Sequence, residues 1–243
     1  MFDFKDKVAV VTGAAGNLGG ALAHALHKTG ARTALIDLYP DRLRERCGDL
    51  AESDRHLLIG SIDITQEDPV NEAVTMTLKK FGRIDMLFNI AGGYRAGTPV
   101  SDALVDEWEL MLDLNARSVF LTCRAVLPHM IERGSGHIVN IGARPGLRGA
   151  PNAAAYSAAK SAVLRLTESI SAEVKNRGIH VNALVPGTID TPANREAMPD
   201  ADVSTWVSPE SLCEVILFLA SDAARSIYGA IIPAYGAGSS HPD

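Results

Sequence analysis

Short runs of β-branched and other apolar residues alternate with longer helical patterns along almost the whole chain of 243 residues. The runs are KVAVVTG (7–13), ARTALID (31–37), HLLIGSID (56–63), IDMLFN (84–89), GHIVNIG (136–142), IHVNALVPG (179–187) and YGAIIPAY (228–235). Strands that are buried on both faces are continuous apolar runs, and helical connections between them make a sheet parallel. The sequence therefore predicts one α/β domain over residues 1–243, built on a doubly wound parallel sheet.

The bulk composition excludes several classes of partner. A formal net charge of -6 predicts no basic surface for nucleic acid or an anionic membrane. The N-terminal stretch MFDFKDKVAVVTG lacks the apolar segment of about 7–15 residues that marks a signal peptide. The longest apolar runs, such as CEVILFLA, are far shorter than the roughly 20 residues that span a bilayer. We therefore expect a cytoplasmic protein with a small-molecule partner and no nucleic-acid or membrane partner.

Cysteine and histidine give no sign of a metal site. Cys47, Cys123 and Cys213 are scattered, and their spacing matches no metal-binding motif. None of the seven histidines belongs to a ligand-like cluster. We expect no bound metal, and three reduced cysteines in the core, as is usual for a cytosolic protein.

A glycine-rich turn follows the first predicted strand. In open parallel sheets, ligands bind at the carboxyl ends of the strands. The stretch TGAAGNLG, Thr12 to Gly19, lies at such an end and opens the first helix. Its glycines let the backbone turn tightly, so that a pyrophosphate can bind to the free N–H groups of the helix. This context predicts a dinucleotide site.

The acidic residue that ends the second strand bears on the choice of dinucleotide. A carboxylate at Asp37 can accept hydrogen bonds from both ribose hydroxyls, and it repels a 2′-phosphate. Ala14 and Ala15 supply no cation in the turn, and no arginine follows Asp37 immediately. The sequence therefore favours NAD(H) over NADP(H).

Tyr156 and Lys160 form the candidate catalytic pair. Residues four apart share a face of a helix, so both side chains can point into one cleft. A free tyrosine has a pKa near 10, about 4 kcal/mol from being a ready base at neutral pH. A nearby ammonium and a positive nicotinamide ring favour the phenolate. The alternative is an exposed Tyr and Lys that share a helical spacing by chance.

Six motifs, taken together and in order, resemble the short-chain dehydrogenase/reductase family over the whole length of the chain. They are TGAAGNLG, Asp63-Ile64, NIAG from Asn89 to Gly92, Asn115 in LDLNARS, YSAAK from Tyr156 to Lys160, and PGTIDT from Pro186 to Thr191. The resemblance implies a Rossmann fold and a nicotinamide-dependent oxidoreductase. It also implies a homo-oligomer, tetramer or dimer, paired through long helices predicted at 101–133 and 151–177.

The resemblance implies a role for each matched residue. Tyr156 would be the acid/base, Lys160 would lower its pKa and bind the nicotinamide ribose, and Asn115 would hold a water in a proton relay to Lys160. Asp63 and Ile64 would contact adenine, the NIAG stretch would line the groove, and the PGTIDT stretch would hold the nicotinamide. The full set of implied cofactor-binding residues is Gly13, Gly16, Asn17, Leu18, Gly19, Asp37, Asp63, Ile64, Asn89, Ala91, Gly92, Tyr156, Lys160, Pro186, Gly187, Thr188, Ile189 and Thr191.

The glycine turn departs from the family pattern at one position. The family pattern TGxxxGxG requires glycine at position 17, where this chain has asparagine after Gly16. Asparagine tolerates a positive φ better than other non-glycine residues. We therefore expect the turn to persist with modest strain at Asn17.

The active-site strand departs from the family more seriously. In the family, a serine follows the IVNI strand and hydrogen-bonds the substrate carbonyl; here the corresponding position is Ala143, between Gly142 and Arg144. Losing one such donor costs carbonyl reduction roughly 2.7–4 kcal/mol. Three explanations stay open. The protein is a weak carbonyl reductase in which Arg144 or Asn152 substitutes, a non-catalytic NAD(H)-binding sensor, or an enzyme whose substrate needs no such donor.

One branch of the family fits the third explanation. The stretch Gly187 to Trp206, the triplet Gly142-Ala143-Arg144, the AGGY run ending at Tyr94 and the form of the glycine turn all resemble dihydropteridine reductase. This implies hydride transfer to a quinonoid ring whose charge delocalises, with Tyr94 and Arg144 as candidates for stacking on or pairing with a planar substrate. Asn115 and the NIAG stretch instead resemble the wider family, including reductases of 3-oxoacyl thioesters and alcohols, so both substrate classes stay open.

Overall fold

A computed structural model describes residues 2–237, in which strands and helices alternate as predicted. The strands are β1 (Val8–Thr12), β2 (Arg32–Ile36), β3 (His56–Ile59), β4 (Met86–Asn89), β5 (Gly136–Ile141), β6 (Ile179–Pro186) and β7 (Ile231–Ala234). The helices are α1 (Asn17–Lys28), α2 (Pro40–Cys47), α3 (Glu67–Phe81), α4 (Val105–Leu112), α5 (Ser118–Arg133), α6 (Arg144–Leu147), α7 (Ala154–Val174), α8 (Pro192–Ala197) and α9 (Pro209–Leu219).

The strands form one sheet in the order β3-β2-β1-β4-β5-β6-β7, and every pairing between neighbours is parallel. The chain runs outward from β1 to β3 and then returns to place β4 on the other side of β1. This reversal leaves a crevice above the carboxyl ends of β1 and β4, where doubly wound sheets bind ligands. The predicted fold is confirmed.

The core consists of two apolar layers, one on each face of the sheet. On one face, α1 and α9 pack on the sheet and bury residues such as Leu22 and Ile216. On the other face, α3, α5 and α7 bury residues such as Val126 and Val163. Phe88 of β4 is fully buried in the layer beneath α1 and α9, and burying such a side chain contributes about 1.5–3 kcal/mol to stability. Burial on both faces explains why the strands read as continuous apolar runs.

Helix boundaries differ from those predicted in the segment 101–133. The segment contains α4 and α5, which are joined by a π-helical turn over Asp113–Arg117. The Asn115 side chain donates a hydrogen bond to the Met111 carbonyl (3.0 Å) within this turn. The helix predicted at 151–177 is confirmed in its central part as α7, and a 3₁₀ turn follows it. Within residues 2–237, no helix combines the length and the apolar character needed to cross a membrane.

Candidate active site

A cleft of about 570 Å³ opens at the carboxyl ends of the strands. Twelve predicted cofactor-binding residues line it: Gly13, Gly16, Asn17, Leu18, Gly19, Asp37, Asp63, Ile64, Ala91, Gly92, Ile189 and Thr191. A larger groove of about 810 Å³ runs along the outer face of α1, between α2 and α9. Asn17 is the one predicted cofactor-binding residue in that groove, whereas the cleft has twelve of them, so the cleft is the candidate site.

The glycine turn brings β1 into close contact with the loop after β4. Gly13 has φ +69°, and a Cβ atom there would lie 2.7 Å from Cα of Ala91. A Cβ atom on Gly19 would lie 2.1 Å from the Gly13 carbonyl oxygen. Neither position admits a side chain, which keeps the backbone N–H groups at the start of α1 open to a pyrophosphate.

The strain expected at Asn17 is absent. Asn17 is the first residue of α1, and the positive φ angles of non-glycine residues in the described chain belong to Asp6, Ser61 and Asn152. The expectation was wrong because Gly13 and Gly19 make the tight approach, and position 17 already has a helical backbone. The Asn17 side-chain oxygen accepts a hydrogen bond from the Arg46 guanidinium (3.2 Å) instead.

Asp37 is held at the far end of the cleft by the backbone. Its carboxylate accepts one hydrogen bond from the N–H of Ala15 and one from the N–H of Tyr39, each 3.0 Å long. Arg42 lines the same end, and its guanidinium carbon lies 5.5 Å from the centre of the Tyr39 ring. Sequence reasoning looked for an arginine immediately after Asp37 and missed Arg42. The sequence feature that could have identified it is its position in the first turn of α2, two residues after Pro40, which places Arg42 on the side of the helix that faces the cleft.

Tyr156 and Lys160 both lie on α7 and meet beside the end of β5. The Lys160 ammonium donates a hydrogen bond to the Ile141 carbonyl (2.9 Å) and lies 5.9 Å from the centre of the Tyr156 ring. Lys160 is 5% exposed, and this burial lowers its pKa to about 8. Tyr156 and Lys160, four residues apart on one helix, therefore lie side by side in the structure.

The pKa of Tyr156 lies above its ordinary value. Burial, with a smaller repulsion from Tyr94, raises the pKa of the Tyr156 phenol to about 12. Removing the phenolate from water is the main cause of this rise. At neutral pH the phenol therefore holds its proton and is in the form required to donate it. That the Lys160 ammonium and a positive nicotinamide ring together favour the phenolate stays a prediction.

Asn115 lies fully buried in the π-helical turn and holds the loop after β4. Its side-chain N–H groups donate to the carbonyls of Gly93 and Met111, each at 3.0 Å, and its oxygen accepts from the N–H of Gly93 (3.2 Å). A Cβ atom on Gly92 would lie 2.8 Å from this oxygen and 3.4 Å from the Lys160 nitrogen. The Asn115 side chain is thus engaged by the backbone of Gly93 and Met111, and its role in a water relay stays a prediction.

The end of β5 offers no hydroxyl. Ala143 is buried and precedes α6 as its N-terminal cap without a side-chain hydrogen bond. A Cβ atom on Gly142 would lie 2.8 Å from a methyl carbon of Leu164, so a side chain at position 142 requires the buried Leu164 to shift. Arg144 points its guanidinium at the Tyr235 ring, 5.0 Å from the ring centre. Sequence reasoning did not single out Tyr235, which follows β7.

The remaining predicted residues fall on the rim of the site. Tyr94 is 68% exposed and lies edge to face with Tyr156, with ring centres 4.9 Å apart. Asn152 has φ +57°, and its carbonyl accepts a hydrogen bond from Gly97. Six predicted cofactor residues do not line the cleft itself: Asn89, Tyr156, Lys160, Pro186, Gly187 and Thr188.

The segment that follows β6 at the carboxyl edge of the sheet is joined at its two ends by a backbone bridge. Ile189 and Val207 make a parallel bridge, with hydrogen bonds from Asp190 N–H to the Val207 carbonyl and from Val207 N–H to the Thr188 carbonyl. Thr191 caps α8 by accepting a hydrogen bond from the Asn194 N–H (3.2 Å). The bridge therefore fixes both ends of the segment 190–206.

The His, Cys, Asp and Glu side chains are the groups whose arrangement could bind a metal. Within residues 2–237, no three or more His, Cys, Asp or Glu side chains are arranged as a metal site. Cys47, Cys123 and Cys213 are buried free thiols, and burial raises the pKa of each.

The donor set of the cleft fits a nicotinamide dinucleotide. A helix N-terminus that follows Gly13 and Gly16 suits a pyrophosphate, and the carboxylate of Asp37, held by two backbone N–H groups, suits a ribose. Sequence comparison gives the same answer, since the family model described as short chain dehydrogenase matches residues 7–202. The chain belongs to the short-chain dehydrogenase family. It is therefore an oxidoreductase that uses a nicotinamide coenzyme.

Relatives in the family cover nearly the whole chain. The 2-(R)-hydroxypropyl-CoM dehydrogenase of Xanthobacter autotrophicus is 34% identical, over 95% of this chain and 98% of that protein. An uncharacterized oxidoreductase of Staphylococcus saprophyticus is 33% identical, over 90% of this chain and 92% of that protein. The crystal structure of levodione reductase superposes with a TM-score of 0.88 at 31% identity, covering 96% of this chain and 97% of that one.

Proposed function

We propose that the protein is an NADH-linked reductase of small, planar, conjugated substrates that contain a quinonoid ring. One observation supports this most directly. A partly buried Tyr156, whose raised pKa keeps its proton on the phenol, lies beside Lys160, while position 143 at the end of β5 has no hydroxyl. The site is thus equipped to give a proton and is not equipped to hold a localised oxyanion.

The proposed reaction transfers one hydride and one proton to the substrate. The substrate is thereby reduced by two electrons. When bound, the reduced coenzyme supplies the hydride. The Tyr156 phenol donates its proton to the substrate heteroatom that gains electron density, leaving a phenolate. Lys160, held by the Ile141 carbonyl, stabilises that phenolate and returns a proton from its ammonium, which solvent then replenishes.

The missing hydroxyl explains the choice of substrate. A simple ketone concentrates negative charge on one oxygen, and losing one preorganised donor costs about 10²–10³ in rate. When hydride adds to a quinonoid ring system, the charge spreads over several conjugated atoms, so a single point donor contributes less. The Gly142-Ala143-Arg144 triplet and the segment 187–206, which resemble dihydropteridine reductase, support a dihydropterin as one member of this class.

A second candidate is the interconversion of an ordinary secondary alcohol and its ketone. The observation in its favour is the relative named 2-(R)-hydroxypropyl-CoM dehydrogenase, which aligns with nearly the whole chain. A third candidate, an NAD(H)-binding sensor without chemistry, is supported by Ala143 and opposed by the Tyr156–Lys160 pair.

NAD(H) is the proposed coenzyme because the Asp37 carboxylate is fixed at the ribose end of the cleft. Arg42 opposes this preference, since a cation at the same end attracts a 2′-phosphate. We also propose a cytoplasmic homo-oligomer, dimer or tetramer. Trp108 of α4 and Phe120 of α5, each close to half exposed, supply apolar surface for pairing.

Stopped-flow loss of NADH absorbance tests the proposal with four substrates: quinonoid dihydropterin, menadione, a β-ketoacyl thioester and 2-butanone. We expect turnover of the first two, slow turnover of the others, and lower rates with NADPH. Faster turnover of 2-butanone than of both planar substrates would support the secondary-alcohol candidate. Tight NADH binding without turnover of any substrate would leave the sensor.

A further inference from the structure

Tyr94 is an exposed aromatic residue placed directly against the candidate proton donor. Its ring plane stands at 89° to that of Tyr156, with centres 4.9 Å apart, yet the side chain is 68% exposed. No hydrogen bond joins the two phenols among the described contacts. Because an edge-to-face pair uses at most one face of each ring, at least one face of Tyr94 is open to solvent beside the Tyr156 phenol.

The backbone that carries Tyr94 is fixed by the π-helical turn. The side-chain amide of Asn115 both donates to the carbonyl of Gly93 and accepts from its N–H, which is a two-bond clamp across 22 residues. A Cβ atom on Gly93 would lie 2.6 Å from a methyl carbon of Leu114, and one on Gly92 would lie 2.8 Å from the Asn115 oxygen. Residues 92 and 93 therefore press against residues 114 and 115, and the following residue has little freedom.

A fixed aromatic ring with an open face recognises flat ligands. Aromatic pairs contribute about 0.5–1.5 kcal/mol beyond the apolar area they bury, which corresponds to about two- to twelvefold in binding. A substrate that receives a proton from Tyr156 must approach its hydroxyl, and the Tyr94 ring borders that approach. An acyclic aliphatic ketone presents no face to stack, so it gains nothing from this ring.

We propose that Tyr94 is the ring-selecting residue of the site, and that Asn115 is a positioning residue that acts through Gly93 to hold Tyr94 in place. The inference rests on the proposed function and deepens it, because it names what distinguishes a cyclic conjugated substrate from an acyclic one. Asn115 thereby acquires a role separate from any proton relay.

The test uses Tyr94→Phe and the matched variant Tyr94→Leu, which removes the aromatic face and retains bulk. The ratio of kcat/KM for menadione to that for 2-butanone is measured for each protein, together with the Kd of NADH by fluorescence. We expect Tyr94→Phe to keep the wild-type ratio, and Tyr94→Leu to lower it about two- to twelvefold through KM, with the Kd of NADH unchanged. An unchanged ratio in Tyr94→Leu, or an equal loss on both substrates, would overturn the assignment.

Asn115→Ala separates positioning from relay. If Asn115 acts through Tyr94, the ratio falls in Asn115→Ala, and the double variant with Tyr94→Leu shows no additional fall. A relay role alone would lower kcat for both substrates and leave the ratio at its wild-type value, which would refute the positioning role. Thermal melting of each variant identifies any that do not fold, and Asn115→Asp, which loses the two donated bonds with little change in size, then replaces Asn115→Ala.

Failure of the proposed function is recognised separately. If wild-type protein reduces neither ketone nor quinone, the proposed function fails, and binding replaces turnover as the readout for Tyr94. Equilibrium dialysis of 2-naphthol against the NAD⁺-saturated protein then compares wild type with Tyr94→Leu. Weaker binding by the variant, about two- to twelvefold, supports the stacking role, and equal binding refutes it.

Discussion

The buried amine of Lys160 makes the stability of the folded protein depend on pH in an unusual direction. An unfolded lysine keeps its proton up to a pH near 10.4. In the folded protein, burial lowers the pKa of Lys160 to about 8. Between these values the unfolded chain binds more protons than the folded one, so the free energy of unfolding rises with pH. At pH values below about 8, the buried Lys160 amine is protonated, and the free-energy cost of burying its positive charge is fully present.

The magnitude follows from the gap between the two pKa values. Each pKa unit corresponds to 1.36 kcal/mol, so a fall from 10.5 to about 8 makes the buried ammonium cost about 3 kcal/mol at neutral pH. About 1 kcal/mol of this cost disappears between about pH 7 and about pH 9. The three buried thiols and Tyr156 have raised pKa values and act in the opposite direction at higher pH, so wild-type protein alone does not isolate the effect.

Lys160→Met isolates it, because methionine keeps an unbranched side chain and removes the titrating group. Urea denaturation of the coenzyme-free protein at about pH 7 and about pH 9 gives the difference in unfolding free energy between wild type and variant. We expect wild type to gain about 1 kcal/mol on the variant across this interval. The solvent-exposed Lys79→Met controls for the general loss of a positive charge. A wild-type-minus-variant difference that is the same at both pH values would refute the reasoning.

Three further predictions concern activity. Tyr156→Phe should lower kcat by about 10²–10⁴, because it removes the proton donor, and should change the Kd of NADH in fluorescence titration by a much smaller factor. Ala143→Ser should raise kcat/KM for 2-butanone by up to about 10² and barely change that for menadione; equal gains on both would contradict the account of the missing donor. Gly13→Ala should weaken NADH binding in calorimetry, since its Cβ would lie 2.7 Å from Ala91, whereas Gly48→Ala, which meets nothing within 4 Å, should not.

The strands, the Tyr156–Lys160 pair and the glycine turn could be predicted because each of these features depends on residues that are close together in sequence. Apolar runs mark strands that are buried on both faces, and the spacing of Tyr156 and Lys160 on one helix places them side by side. The glycine turn is also local, although Asn17 needed no special backbone conformation.

The features that sequence did not predict depend on long-range packing. The π-helical turn that divides the predicted helix 101–133 is held by hydrogen bonds between Asn115 and Gly93, 22 residues away. Arg42 enters the cleft because of the direction that α2 takes after Asp37. The raised pKa of Tyr156 depends on how deeply α7 packs, which no spacing along the chain encodes.

The tight packing around Gly142 has a consequence for how this protein can change. A side chain at position 142 would collide with Leu164 and Val185, whereas position 143 already carries a methyl group. Every alanine codon becomes a serine codon by replacement of its first base alone. The gene therefore stands one point mutation from carrying an alcohol group at the end of β5, and selection for growth on simple ketones should recover that mutation at codon 143 and none at codon 142.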